Sequence, residues 1–383
     1  MNFRSETLTR TTEYFNRIRK SLRRSATHDS METNPEFKPS SGTDVDTLSG
    51  EPRYNDSPSL GIATYPDSSK TETLGNAEYN PIRESKWRVP LHGFESYVTS
   101  LQQQTPSGFT EQFEELATVG TTQSTDAGKD PVNLSKNLFK NILPYDETRV
   151  KLKEEEGVGS DYINASYVDG HNSSSEYIAC QLPTPKEYCT WWRLVWEKNV
   201  TKIILMESPR QSKRNRARNL WPLEKGELCE FGYLKVQWLN ESNLGFCTAW
   251  KVVIWREKHR RIVMVYELTT PKFDTSQDTV LALVYFRHFI REELKKDTLR
   301  SPHLLVCCKL GTGRTGTFIC FDRVLESAPE KGFVDIYHTL QSMRKKRMQL
   351  VQSLEQYELV HLCILHVVRD GSLRLNCEET LLD

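Results

Sequence analysis

The sequence predicts a mixed α/β fold with one substantial sheet, and three observations point to it. Apolar residues at helical spacing come first, strand-like runs fill the middle, and helical patterns return at the end. Late in the chain a glycine-rich turn, within His303–Thr317, joins an apolar strand to a helix. The length of 383 residues, 37% of them hydrophobic and 27% charged, allows one large soluble domain with a tail, or two modest domains.

The elements follow in order. Residues 1–85 are rich in Ser, Thr, Asn, Asp and Pro and poor in apolar clusters. Such a stretch buries too little surface to offset the entropy of ordering, so it is expected to be mostly disordered. One island, Glu13–Arg24, spaces Phe15, Ile18 and Leu22 as a helix does, among Arg17, Arg19, Lys20, Arg23 and Arg24. A short basic helix of this kind suits a peripheral contact with an anionic membrane or an acidic partner groove; a solvated charge run fits equally well. Ser25 follows two arginines, a weak basophilic-kinase motif. Residues 86–370 have the texture of a folded domain. Helical periodicity marks Phe94–Val98 and Phe109–Leu116, and strands are expected at Thr201–Met206, Thr248–Trp255 and Arg261–Leu268. Helices are expected again at Val280–Leu294, Thr317–Glu326, Phe333–Lys346 and Leu354–Val368. The polar tail, 371–383, is expected to fray.

Several function classes drop out. Lys and Arg number 51 against 51 Asp and Glu, which argues against a dedicated nucleic-acid binder. No run approaches the ~18 apolar residues that span a bilayer. Met1-Asn2-Phe3-Arg4 leads into no apolar core, so no secretory signal is expected. The nine cysteines form neither CxxC pairs nor zinc spacings, and neither a metal nor another cofactor is expected. Cys180, Cys189, Cys229, Cys247, Cys320 and Cys363 lie in apolar company and read as buried thiols, in a cytoplasmic, reducing compartment.

The chemistry concentrates in Cys308-Lys309-Leu310-Gly311-Thr312-Gly313-Arg314. The strand Leu304–Val306 runs into this turn, and a helix is expected from about Thr315. Gly311, Gly313 and Gly316 permit backbone angles that turn successive N–H groups inward, and the helix start adds unpaired donors. Arg314, six residues after Cys308, brings a planar fork suited to two phosphate oxygens. The same donors would stabilise a Cys308 thiolate as nucleophile.

This loop resembles the signature of the phosphotyrosine-specific protein phosphatases, and other segments match that family in order. Lys136–Ile142, with Pro144-Tyr145-Asp146 and Arg149-Val150, is similar to its substrate-recognition loop. Ser160–Gly170 matches a core motif, Trp192–Glu197 and Trp221-Pro222 fall where similar residues do, and Val351–Tyr357 resembles its glutamine loop. The resemblance covers about residues 88–368. It implies a highly twisted central mixed sheet flanked by helices, with Cys308 attacking phosphorus. Residues 309–314 would hold the phosphate, Phe139 would recognise the substrate, and Gln352 and Gln356 would orient water.

Four departures bear on turnover. Where the family carries an acid-loop Asp, counting gives Thr270, Pro271 and Lys272. A positioned acid contributes about 10²–10⁴-fold in rate, and lysine is a poor donor. Asp274 or Asp278 could replace it through a shifted loop. Cys307 stands in place of a His; a bridge to adjacent Cys308 would be strained, because neighbouring Cα atoms are ~3.8 Å apart. Lys309 and Leu310 replace small residues in the cradle, and Phe139 replaces a tyrosine. The basic run Arg210–Arg218 borders the expected cleft, where it either draws acidic partners or remains a solvated hairpin. Three readings result. The first is a pseudophosphatase that binds phosphotyrosine proteins and so shields them or holds a kinase or receptor. The second is a slow phosphatase. The third is a scaffold with a vestigial pocket.

Overall fold

The computed structural model describes residues 87–104, 107–154, 160–206, 220, 222, 225–269, 273–296 and 301–371. The segment 1–85 with Glu13–Arg24 and Ser25, the run Arg210–Arg218, Trp221, Thr270–Lys272 and most of the polar tail lie outside the described residues.

The strands are β1 (Val89–Pro90), β2 (Arg149–Lys151), β3 (Tyr162–Val168), β4 (Tyr177–Gln181), β5 (Lys202–Leu205) and β6 (Leu228–Phe231). They continue with β7 (Leu234–Asn243), β8 (Cys247–Arg256), β9 (His259–Leu268), β10 (Leu304–Cys308) and β11 (Phe333–Val334). The helices are α1 (Phe94–Gln103), α2 (Gly108–Glu115), the single turn α3 (Asp126–Lys129) and α4 (Tyr188–Glu197). After the strand block come α5 (Gln277–Lys295), α6 (Gly313–Lys331), α7 (Ile336–Arg344) and α8 (Leu354–Arg369).

Among the described residues nine strands form one mixed sheet in the order β2-β3-β4-β10-β5-β9-β8-β7-β6, and β1 pairs with β11 separately. Strand β10 lies parallel to β4 and β5, and β5 parallel to β9; the other pairs are antiparallel. Buried on both sides, β10 reads as an unbroken apolar run rather than an alternation, as a central parallel strand should. On one face α4 presses Trp191, Trp192, Leu194 and Val195 onto Ile163, Ala165, Cys180, Leu205, Leu305 and Cys307. On the other, α6 packs over β4 and β10, with α8 against α6.

A buried ionic knot ties these layers together. Asp322 of α6 accepts from Arg287 at 2.7 Å, from Arg291 at 2.7 and 2.8 Å and from the Tyr177 hydroxyl at 2.8 Å. Burial alone would raise the Asp322 carboxyl, but Arg287 and Arg291 overcome it and hold the group below its ordinary value.

The predicted elements are found, with informative differences. Phe333–Val334 forms β11 and not a helix; Gly332 before it caps α6 at φ +73°, and the next helix starts at Ile336 behind the Asp335 cap. Helix α6 begins at Gly313, two residues earlier than expected, and β10 extends through Cys308. Cys189 is exposed in the first turn of α4, and Cys229 is half-buried on the edge strand β6, so neither is the buried thiol expected from its neighbours. Apolar company in sequence does not say which face of an element a residue takes.

Candidate active site

The turn after β10 is held from behind by its carbonyls. The Cys308 carbonyl accepts from Gly311 N (3.1 Å) and Leu182 N (3.0 Å). The Thr312 carbonyl accepts from Gly316 N (2.8 Å) and Val351 N (3.3 Å). Between them, Arg347 donates Nε to the Gly311 carbonyl (2.8 Å) and an Nη to that of Leu310 (3.0 Å). With the carbonyls tied inward, the amides of Leu310, Thr312 and Gly313 have no backbone acceptor among the described residues. A strand end, a tight turn and the first turn of α6 thus leave donors available for an anion.

Two glycines make the turn fit. Gly311 sits at φ +67°, and a Cβ there would come within 2.5 Å of the Cys180 carbonyl oxygen. Gly313 starts the helix beneath the glutamines: a Cβ would lie 2.9 Å from Gln356 Nε2 and 3.0 Å from Gln352 Oε1. The structure therefore brings Gln352 and Gln356 onto the helix end that the Cys308–Arg314 loop feeds. Gln352 N donates to Gln356 Oε1 (2.9 Å), and Gln356 N to the Ser353 cap hydroxyl (3.2 Å). Ahead of them Gln349 and Val351 adopt φ of +52° and +59°. Arg344 stabilises that bend by donating to the carbonyls of Leu350 (3.0 Å) and Val351 (2.7 Å).

Arg344 and Arg347 are the residues that sequence reasoning missed. Both are buried, and burial lowers the pKa of each, because their acceptors are mostly neutral oxygens. Arg347 also reaches Asn164 Oδ1 (2.7 Å) and Ser166 Oγ (3.2 Å) on β3. The only hint was their spacing of three, which points both the same way on a helix, inside a Lys-rich run that otherwise reads as solvated.

Cys308 is buried at the end of β10, at 5% exposure. Cys307 faces the opposite side, in the α4 core, where burial pushes its thiol far above the ordinary value. It stays protonated at neutral pH and supplies no charge to its neighbour. The Arg314 guanidinium donates to the Met206 carbonyl (3.3 Å) at the end of β5 and lies 5.2 Å from the Phe273 ring. Thr312 and Thr315 each bury a hydroxyl with no partner among the described residues, polar atoms close in sequence to the open amides.

The mouth of the site is set by Gln181 of β4, opposite Cys308 in the sheet register. Its side-chain amide accepts from Leu138 N (2.9 Å) and donates to the Lys136 carbonyl (3.0 Å), fixing the loop that carries Phe139. Phe139 is 45% exposed, and Lys309 reaches outward with Nζ 5.9 Å from its ring. Lys309 therefore borders the mouth as an exposed side chain.

On the acid side Lys272 lies outside the described residues, whereas both substitute carboxylates are placed. Asp274 accepts from Ser276 N (3.1 Å), the Ser276 hydroxyl and Thr279 Oγ1 (2.9 Å), at the start of α5. Asp278 is exposed in the first turn of that helix.

Comparison with known proteins agrees with this geometry. A family profile described as Protein-tyrosine phosphatase matches residues 133–366. The human receptor-type tyrosine-protein phosphatase eta is 32% identical over 315 residues, covering 81% of this chain and 23% of its own length. Human receptor-type tyrosine-protein phosphatase H is 30% identical, over 74% of this chain and 26% of its own. The human phosphatidylinositol phosphatase PTPRQ is 35% identical over 68% of this chain and 11% of its own. The chain thus spans about a quarter or less of these relatives.

Proposed function

Because this chain belongs to the protein-tyrosine phosphatase family, we propose that it binds phosphotyrosine proteins in signalling and hydrolyses them little, as a pseudophosphatase. One observation supports this reading: the described residues assemble a cradle, while the sequence carries a lysine at the acid position. Open amides, a buried Cys308 and two seated glutamines provide ground-state binding of a phosphate. Lys272 stands at the acid position in sequence. Asp274, the nearest substitute in sequence, accepts from Ser276 and Thr279 through Oδ1, which anchors it at the start of α5. Loss of the acid lowers the chemical step and spares binding, because the two are separable. The exposed Phe139 ring offers a stacking face for a phosphotyrosine ring.

A pair of assays tests the proposal. Isothermal titration of the full chain with a phosphotyrosine peptide should show binding that Arg314→Met weakens, with turnover near background. Lys272→Asp should then raise hydrolysis by ~10²-fold or more, the usual worth of a positioned acid. Ordinary turnover by the unaltered chain, abolished in Cys308→Ser, would overturn it in favour of an active phosphatase. Absence of peptide binding would leave only the scaffold.

A further inference from the structure

The outer end of the sheet carries a second surface. Among the described residues, the large apolar side chains left exposed include Leu228 (47%) and Ile262 (46%). Register places them in one row across four strands, Leu228–Gln237–Val253–Ile262. The next row toward the turns reads Glu230–Lys235–Trp255–Arg260. Beyond it β8 and β9 close on Arg256, Glu257, Lys258 and His259, with Glu257 at φ +54°. Arg260 stacks over Trp255 at 5.7 Å, and Arg256 over Tyr233 of the adjacent turn at 4.6 Å. Arg261 points the other way, donating to the carbonyls of Val195 and Trp196, so it belongs to the core face. The β8–β9 turn thus presents Lys258 and Arg260 beside Glu257, flanked by Trp255 and Ile262; in the row of Trp255 and Arg260, Glu230 is neutralised by Lys235 at 2.9 Å, and Arg256 and His259 follow on the opposite side of the hairpin.

We infer that this hairpin end is a docking surface for an anionic lipid bilayer, with Lys258 and Arg260 at the headgroups and Trp255 and Ile262 at the interface. Charge complementarity selects the occupant: clustered cations meet a negative surface, while an interfacial aromatic and an exposed aliphatic add apolar area without a shaped groove. Strand direction adds a consequence. Because β9 runs parallel to β5 and β5 to β10, the β8–β9 turn lies at the end of the sheet opposite Cys308. Docking there leaves the phosphate cleft facing away from the membrane, and it does not depend on what that cleft does.

The test is co-sedimentation of the full chain with phosphatidylcholine vesicles, with and without phosphatidylserine. The chain should sediment with the anionic vesicles only, and less as salt rises. Lys258→Glu with Arg260→Glu should lower partitioning by about tenfold or more, from the electrostatic worth of each surface cation. Ile262→Asp should lower it at every salt concentration. Circular dichroism of each variant confirms folding, and phosphotyrosine-peptide binding should be unchanged in both. Equal sedimentation on neutral and anionic vesicles, no sedimentation at all, or a double variant that sediments like the unaltered chain, as when residues 13–24 carry the binding alone, would overturn the proposal.

Discussion

At Arg347 a positive charge sits fully buried among the oxygens of Leu310, Gly311, Asn164 and Ser166. Replacing it with methionine keeps the bulk but strands those acceptors. Arg347→Met should cost about 3–5 kcal/mol in urea unfolding and abolish phosphopeptide binding. Arg347→Lys should recover only part, because an ammonium lacks the planar fork. His361 offers a pH test. It is buried against Phe94, Phe109 and Tyr357, its ring nitrogen meets the Tyr357 carbonyl at 2.9 Å, and burial lowers its pKa to about 4. The folded value lies below the unfolded ~6.5, so stability is complete above pH ~6.5 and falls toward pH ~4, by roughly 3 kcal/mol. His361→Phe should flatten that slope in thermal melts between those pH values. Neither residue was legible from the sequence: arginine beside two lysines reads as solvent-facing, and a lone histidine carries no mark of its surroundings. Cys308, Gly311 and Gly313 were legible, because spacing alone predicts a tight turn onto a helix.

Among the elements, the turn and the two loops that pack on it differ in how much they forgive. A methyl at Gly311 meets strand backbone and a left-handed angle, whereas one at Gly313 meets the tips of two flexible glutamines. Gly311→Ala should therefore destabilise by about 1–3 kcal/mol or more. Gly313→Ala should shift the melting midpoint little, within ~1 kcal/mol, while displacing Gln352 and Gln356. Scanning calorimetry of the two variants side by side separates these outcomes. Outer strands such as β9 were legible because one face alternates; β3 and β4 were not assigned as strands, since nearly every residue in them is buried and the period-two signal vanishes. The Phe333–Val334 strand escaped notice because two residues are too short for any period.

For the whole molecule, the order of helices, strands and helices was enough to read a mixed α/β fold with one substantial sheet, while the mixed strand directions were implied only by the family resemblance. Long-range ties were not legible. The Asp322 knot joins residues separated by up to 145 positions, and no local pattern announces it. Its carboxyl is held below the ordinary value, so its contribution is present above the unfolded pKa of ~3.9 and is lost as pH falls below it. Asp322→Asn should cost about 1–3 kcal/mol at neutral pH, because Arg287 and Arg291 lose their buried counter-charge while keeping Glu326 and Glu176, and it should remove part of the acid-side slope. Denaturant titrations at neutral pH and at about pH 2.5, below the unfolded value, check both.

The cradle's inward ties have one more implication. The bonds that aim its donors at a guest are the same bonds that knit strand, helix and glutamine loop into a solid, so a chain that folds arrives with its grip already formed. None of those bonds runs through the acid position, where the sequence carries Lys272, and Asp274 is anchored to Ser276 and Thr279 at a helix start. Grip and turnover are therefore unequal hostages to the fold. On the proposed reading, such a domain can lose its chemistry by one exchange at the acid position, yet it cannot readily lose its hold on a phosphate and remain a protein.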